Sequence, residues 1–294
     1  MISAAVSAVI NVFDKTIIYR YVNTAQTLPL LIGFCQTTVW FFVLLFMGMP
    51  ILNPSFGILA AVASGILFGL SGVLLMRVLY TQEVSRTIAV TQSAPIFTAI
   101  IARVVLNETI SFLQWLSIMA IVLGAALISL RVKKGSTSIF LDSSFYLLMV
   151  SSCLVGAAHV VGKISLDYLP VITTHAIRMF ILGIVFLLFN LRYEPWIDIK
   201  KRFVIRRKAM FLLGINELII ANVGLILLYM ALSNGPASLV TALVGSKALF
   251  LLLYTTGISL VWGSVLGERV TRGTTFVKLI STLMIVGGVV GISL

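Results

Sequence analysis

Long apolar runs separated by short polar connections dominate the chain. Ten of these runs approach the twenty residues that a helix needs to cross the hydrocarbon core of a bilayer. The predicted membrane helices cover residues 2–19, 28–49, 56–80, 84–106, 112–130, 145–166, 173–189, 210–232, 237–260 and 275–294. Only the connection 190–209 is long enough to hold a small surface helix. The pattern therefore predicts an all-α integral membrane protein with ten transmembrane helices and no soluble domain.

The apolar pattern repeats between the two halves of the chain. Residues 117–130, SIMAIVLGAALISL, align without a gap on residues 281–294, STLMIVGGVVGISL, and Asn107-Glu108 and Gly267-Glu268 precede the two copies. Each unit, 1–134 and 135–294, holds five predicted helices. Because five is odd, the second unit enters the membrane from the opposite side. We therefore expect two inverted five-helix repeats, with a site near the membrane midplane between them.

Composition and charge agree with a membrane protein. Hydrophobic residues make up 60% of the 294 residues and charged residues 10%, whereas charged residues make up about 25% of an ordinary soluble domain. The net charge of +12 comes from basic residues in short loops, and no basic surface interleaved with aromatic residues is present for nucleic acid. Cys35 and Cys153 lie inside apolar runs, so we expect neither a disulfide framework nor a metal site or cofactor.

Loop charge predicts the orientation. The basic residues of the connection 190–209 and of the other loops on its side face the cytoplasm under the positive-inside rule. With ten helices, both termini then lie outside. We expect a multi-pass protein of the cell (inner or plasma) membrane.

The end of each unit carries a recurring set of residues. The first unit has Ser93-Ala-Pro95-Ile-Phe97 and Asn107-Glu108 before a helix with Gly124. The second has Ser246-Lys247 and Gly267-Glu268-Arg269 before Gly288. In these features and in the layout of ten helices, the whole chain resembles the drug/metabolite transporter superfamily, of the kind with two EamA-type repeats.

This resemblance implies a secondary transporter or exporter for a small metabolite, working by alternating access. It also implies a cavity lined by the third, fourth, eighth and ninth membrane helices and roofed by the first and sixth. Family members often have both termini in the cytoplasm, which is the reverse of what the loop charges predict.

Ionisable side chains inside apolar helices are candidates for function, because a charge in the membrane is costly. Lys247 would attract an anionic substrate group, or it would be the structural partner of the buried Glu217. Phosphate-translocating relatives have basic residues in the corresponding helix, which by similarity favours the anion. Glu217 would carry a proton, or it would neutralise Lys247 or Lys163.

His159 and Lys163 share one helix face, and Asn11 and Lys15 repeat this arrangement in the first helix. His159 is a second candidate for proton coupling or a hydrogen-bonding partner of another helix. Lys163 and Lys15 contact substrate or extend to the membrane surface, and Arg178 adds positive potential or anchors its helix. The predicted substrate-binding set is Lys247, Glu217, His159, Lys163, Lys15, Asn11, Arg178, Tyr254 and Asn222. Glu108 and Glu268 are predicted to cap the helices that follow them.

The sequence thus favours a secondary transporter or exporter of a small polar metabolite, anionic or zwitterionic: an amino acid, an organic acid or a phosphorylated compound. Its partners would be this substrate, the lipid bilayer, and a proton or counter-substrate, and the protein would be a monomer or homodimer. The alternatives are a membrane channel or scaffold and a lipid-modifying enzyme. Two histidines without an HxxxD or HExxH motif make the enzyme a poor fit.

Overall fold

The computed structural model describes residues 1–21, 24, 26–52, 55–81, 87, 90–129, 143–199, 207–251, 253–254 and 272–293. Within these ranges, it describes the backbone but not the side chains of residues 11, 12, 15–21, 52, 81, 128, 129, 198, 207–209, 272–278 and 293. Every structural statement below concerns the described part of the chain.

The described chain is helical throughout, with no strand. The α-helices are α1 (Ile2–Tyr21), α2 (Thr27–Phe46), α3 (Phe56–Thr81), α4 (Ala94–Val105), α5 (Phe112–Ser129), α6 (Ser143–Leu166), α7 (Val171–Asn190), α8 (Tyr193–Asp198), α9 (Arg207–Gly214), α10 (Ala221–Asn234), α11 (Ala237–Gly245) and α12 (Arg272–Ser293). A short 3₁₀ helix spans Pro50–Leu52, and a π-helical segment, Ile215–Ile220, joins α9 to α10.

Described helices overlap each of the ten predicted membrane segments, and α8 lies in the connection predicted to hold a surface helix. Five helical stretches are long and apolar enough to cross a membrane: Thr27–Phe46, Phe56–Tyr80, Ser143–Leu166, Val171–Asn190 and Met210–Asn234. Four apolar helices in the described residues are shorter. The all-α prediction is confirmed for the part of the chain described, while the count of ten spans and the inverted repeat stay predictions.

The helices bury small and apolar residues against each other and leave large apolar side chains outside. Phe46, Phe112 and Leu188 are 89%, 80% and 75% exposed, which is the distribution expected where lipid covers the outer surface. A core cluster including Leu28, Ile177 and Phe186 joins α2, α3 and α7. This apolar core thus joins helices of both halves of the chain.

Glycines allow two of these helix pairs to approach closely. In α2 and α7, methyl groups added to Gly33 and Gly183 would each lie about 3 Å from the other glycine's carbonyl oxygen. In α3, a methyl group on Gly65 would lie 2.8 Å from the carbonyl oxygen of Arg178. Small residues at such contacts let helices pack backbone to backbone in a membrane. The approach at Gly65 places Phe68, one turn further along α3, beside Arg178.

The π-helical segment interrupts an otherwise continuous helix. It begins after Gly214 and contains Asn216 and Glu217, which are both buried. A π turn holds an extra residue, changes the direction of the side chains around it and occurs frequently at functional sites. Here it directs two neighbouring polar side chains into the protein.

Candidate functional site

Arg178 is the most unusual residue of the interior. Its side chain is fully buried, and in the described part of the chain Nε, Nη1 and Nη2 all lack a hydrogen-bond partner. The guanidinium carbon lies 3.9 Å from the centre of the Phe68 ring and 4.9 Å from that of the Tyr229 ring. These cation–π contacts stabilise the charge without using any of its donors. The N–H groups of Arg178 are therefore free to bind another group.

Two histidines lie beside this arginine. His159 of α6 is buried, its ring centre is 6.0 Å from that of Phe68, and its Nδ1 has no partner. The charges that act on it are those of Arg178 and Lys247. His175, one turn before Arg178 in α7, is fully buried, and its Nδ1 also has no partner. Unpaired donors and ring nitrogens thus collect in one region of the interior.

A hydrogen-bonded network connects this region to Glu217. The Oδ1 of Asn222 lies 3.1 Å from His175 Nε2 and accepts a bond of 3.1 Å from Trp40 Nε1. The Nδ2 of Asn222 donates to the carbonyl oxygens of Glu217 and Leu218. Because these bonds fix the amide orientation, His175 Nε2 is the donor to Asn222. In a neutral imidazole the unpaired Nδ1 is then an acceptor.

Glu217 lies in a cluster of oxygen and amide groups. Gln36 Nε2 donates to its carbonyl oxygen at 3.0 Å and approaches Oε2 at 3.5 Å, and Asn216 Nδ2 donates to Oε1 at 3.1 Å. The same Nδ2 donates to Oδ1 of Asp14 at 2.7 Å. Within the described residues, Glu217 therefore faces a second carboxyl group and does not pair with Lys247 or Lys163.

The remaining predicted site residues take different positions. Lys247 is half-buried just after α11 and makes no hydrogen bond or ion pair in the described chain. Lys163 Nζ donates to the carbonyl oxygens of Leu232, at 3.0 Å, and Gly235. Tyr254 is half-buried beside Phe250, with ring centres 6.4 Å apart. Asn11 and Lys15 lie on α1, but their side chains are outside the described residues.

The prediction for Glu108 was wrong. This residue does not cap α5, the helix that follows it. Its Oε1 accepts from the backbone N–H of Ala237 at 2.6 Å, and its Oε2 accepts from the N–H and hydroxyl of Ser238 at 3.1 and 2.6 Å. Glu108 therefore caps α11 in the other half of the chain, because the fold brings it to the first N–H groups of that helix, which have no partner within the helix. Glu268 lies outside the described residues.

Several residues of the site were not predicted. Asp14, Gln36 and Asn216 were not assigned to it, and Trp40 was not recognised as one of its hydrogen-bond donors. His175 was expected, with Arg178, to add positive potential or to anchor its helix, but it was not placed in the substrate-binding set. A signal was present for Asp14 and Asn216, since each directly precedes a residue that was singled out, Lys15 or Glu217. No local pattern in the sequence indicates that Gln36 and Trp40 of α2 meet Glu217 and Asn222, because that contact spans about 180 residues.

Helices long enough to cross a membrane and an interior polar network define a helical membrane protein. The comparisons with known proteins refine this class. Residues 1–130 match the family model of the EamA-like transporter family, a family of the drug/metabolite transporter superfamily. The resemblance predicted from the sequence is confirmed by this match, which suggests a membrane transporter of that type rather than an enzyme.

Solved structures share the fold, and one of them is a crystal structure. It is similar to this chain with a TM-score of 0.68 and 13% sequence identity, over 98% of this chain and 93% of that chain. No curated protein matches the sequence. The structural likeness at this identity concerns the fold alone.

Proposed function

We propose that this protein is a secondary transporter or exporter of a small polar metabolite that carries an anionic group, working by alternating access. The observation that carries the proposal is the fully buried Arg178, whose guanidinium nitrogens have no hydrogen-bond partner among the described residues. A buried cation without a counter-ion is costly. An anionic ligand bound to these donors removes that cost.

The chemistry around Arg178 favours a carboxylate or a phosphate. A guanidinium group presents pairs of N–H donors in its plane, which match two oxygens of either anion. Phe68 and Tyr229 contact the group through their ring faces and leave these donors free. The charges of Arg178 and Lys247 both act on His159, so His159 and Lys247 would add to the polar surroundings of a ligand bound at Arg178. Amino acids, organic acids and phosphorylated compounds all carry a suitable group.

The helix contacts support alternating access between inverted repeats. Each helix of the first repeat has a counterpart in the second, five predicted spans later. Three of the main helix contacts join such counterparts: α2 with α7, α4 with α11, and α5 with α12. The contact of α3 with α6 corresponds to that of α10 with α1, so most of the main contacts are preserved when the two repeats are exchanged. Such an arrangement has two related conformations, open to opposite sides. Ligand bound between the halves would be released on either side.

Counterflow in liposomes tests the proposal. Vesicles containing the protein are loaded with an unlabelled organic acid, amino acid or phosphorylated compound, and uptake of the labelled compound is measured. We expect saturable exchange for at least one class. Voltage-driven current without saturable exchange would support a channel instead, and neither activity would exclude both.

Arg178→Lys is the matched variant, because it keeps the charge but loses the planar pair of donors. Losing a charge-assisted hydrogen bond of about 1.5–3 kcal/mol corresponds to about ten- to hundredfold weaker binding. We expect the half-saturating concentration to rise by this factor. Arg103→Lys is the control, because Arg103 is exposed on α4. Unchanged exchange in Arg178→Lys would exclude Arg178 as the anion site.

A further inference from the structure

Asp14 and Glu217 form a carboxyl pair inside the protein. Asp14 is half-buried on α1, and Glu217 is buried in the π-helical segment. They share one donor group, because the Nδ2 of Asn216 donates to Oδ1 of Asp14 at 2.7 Å and to Oε1 of Glu217 at 3.1 Å. One amide nitrogen thus holds the two carboxyl groups close to each other.

Two carboxylates that accept hydrogen bonds from one amide nitrogen in a membrane interior cannot both remain ionised unless a positive charge offsets them. Like charges at this separation repel strongly, and burial weakens the screening by water. Such a pair lowers its energy by holding one proton between its two groups, and it then titrates as a unit. Among the described residues, Asp14 is the group whose charge acts on Glu217.

The other titratable groups facing the pair do not supply a positive charge in the described residues. Cys35 of α2 lies near Glu217, and His175 of α7 is connected to it through Asn222. Gln36 contributes a neutral amide. The side chain of Lys15, next to Asp14, is outside the described residues. The described surroundings therefore favour a proton as the compensating charge.

Asn216 provides a second, independent observation. It is fully buried, yet its Oδ1 has no hydrogen-bond partner. This oxygen belongs to the same amide group as the Nδ2 that contacts both carboxyl groups. A buried acceptor left without a donor costs about 1–3 kcal/mol. The O–H of a protonated carboxyl group is a donor of the kind that this position lacks.

We propose that Asp14 and Glu217 bind one proton between them, with Asn216 as the bridging residue, and that this pair couples proton movement to transport. The coupling role rests on the proposed transport function, whereas the shared proton does not. The pair takes up the proton when the interior opens to one side and releases it after opening to the other. No bond other than the O–H bond is made or broken.

Infrared spectroscopy of the purified protein at neutral pH tests the shared proton directly. We expect a C=O stretching band of a protonated carboxyl group that shifts in D₂O and changes in both Asp14→Asn and Glu217→Gln. The double variant should lack it. Asp167→Asn, in an exposed turn, is the control and should leave the band unchanged. A wild-type protein without this band, or a band altered by only one of the two substitutions, would overturn the proposal.

Proton-driven transport tests the coupling role. For a substrate that exchanges in counterflow, a gradient of one pH unit supports up to about tenfold accumulation if one proton moves per substrate. We expect such accumulation in the wild type and none in Asp14→Asn or Glu217→Gln, with exchange measured in the same vesicles. Exchange in the wild type without pH-driven accumulation would reject the coupling and leave the proposed function standing. Absence of any exchange would reject the proposed function and leave the infrared result to decide on the shared proton.

Discussion

Arg178 lies in an environment that stabilises its charge without satisfying its hydrogen bonds. The rings of Phe68 and Tyr229 provide cation–π stabilisation, while the guanidinium nitrogens stay without partners. A side chain that is required only for structure normally uses its buried donors. The arrangement of Arg178 therefore fits a group that receives its partner from a ligand.

The ring of Tyr229 is expected to matter more than its hydroxyl group. Tyr229→Leu removes a cation–π contact worth about 2 kcal/mol at a desolvated site, so we expect about thirtyfold weaker binding of the exchanged substrate. Tyr229→Phe keeps the ring and loses only a 3.4 Å contact between the hydroxyl group and Ser64 Oγ, so it should bind nearly as the wild type does. The half-saturating concentration in counterflow is the measurement. Equal effects of the two substitutions would contradict the role of the ring.

At the scale of elements, the N-terminus of α11 depends on a residue from the other half of the chain. Its own N-cap residue, Pro236, makes no side-chain capping bond, and Glu108 binds the N–H groups of Ala237 and Ser238 instead. Lys163 binds the carbonyl oxygens of Leu232, in the last turn of α10, and of Gly235, which directly follows that helix. Glu108 and Lys163 thus both bind backbone groups where α10 ends and α11 begins.

Removing the Glu108 carboxylate should destabilise the folded protein. An N-terminal cap contributes about 1 kcal/mol, and the negative charge at the helix N-terminus adds to it. We expect Glu108→Ala to lower the thermal unfolding temperature in detergent, and Ser238→Ala to cause little additional loss in the Glu108→Ala background. Asp167→Ala, an exposed acidic residue, is the control. Fully additive losses from Glu108→Ala and Ser238→Ala would show that the two side chains do not act together.

At the scale of the whole molecule, the repeated sequence segments contact each other reciprocally. A methyl group added to Gly124 of α5 would lie 2.8 Å from the carbonyl oxygen of Ser281, and one added to Gly288 of α12 would lie 2.7 Å from that of Ser117. Ser117 and Gly124 align with Ser281 and Gly288 in the repeat. Gly124 of the first segment thus packs on Ser281 of the second, and its counterpart Gly288 packs on Ser117, the counterpart of Ser281. A two-fold axis between the halves would produce this relation.

Alanine at either of these glycines should destabilise the protein by a similar amount. Because the added methyl group meets backbone, the helices must separate, and overpacking of this kind costs about 1–3 kcal/mol. Gly287→Ala is the matched control, since nothing lies within 4 Å of the added group. We expect lower unfolding temperatures for Gly124→Ala and Gly288→Ala than for Gly287→Ala. A loss confined to one of the two glycines would argue against the reciprocal contact.

How much of the site could be predicted depends on whether its interactions are local or join residues far apart in the sequence. Charged and polar residues inside apolar runs identified Arg178, Glu217 and Asn222, because burying such groups is costly wherever the chain folds. Their partners were not predictable. Gln36 and Trp40 are ordinary polar and aromatic residues in the sequence, and Glu108 binds a helix that begins about 130 residues later.

The sequence by itself determined the all-helical membrane class and the positions of the helices, because apolar length and helical periodicity are local properties of the chain. It also indicated the relation between the halves through the matching segments 117–130 and 281–294. Only the tertiary structure decided which ionisable groups face each other. It left Arg178 unpaired between two rings and joined Asp14 to Glu217 through Asn216, since the contacts between distant helices depend on their packing and not on their spacing along the chain.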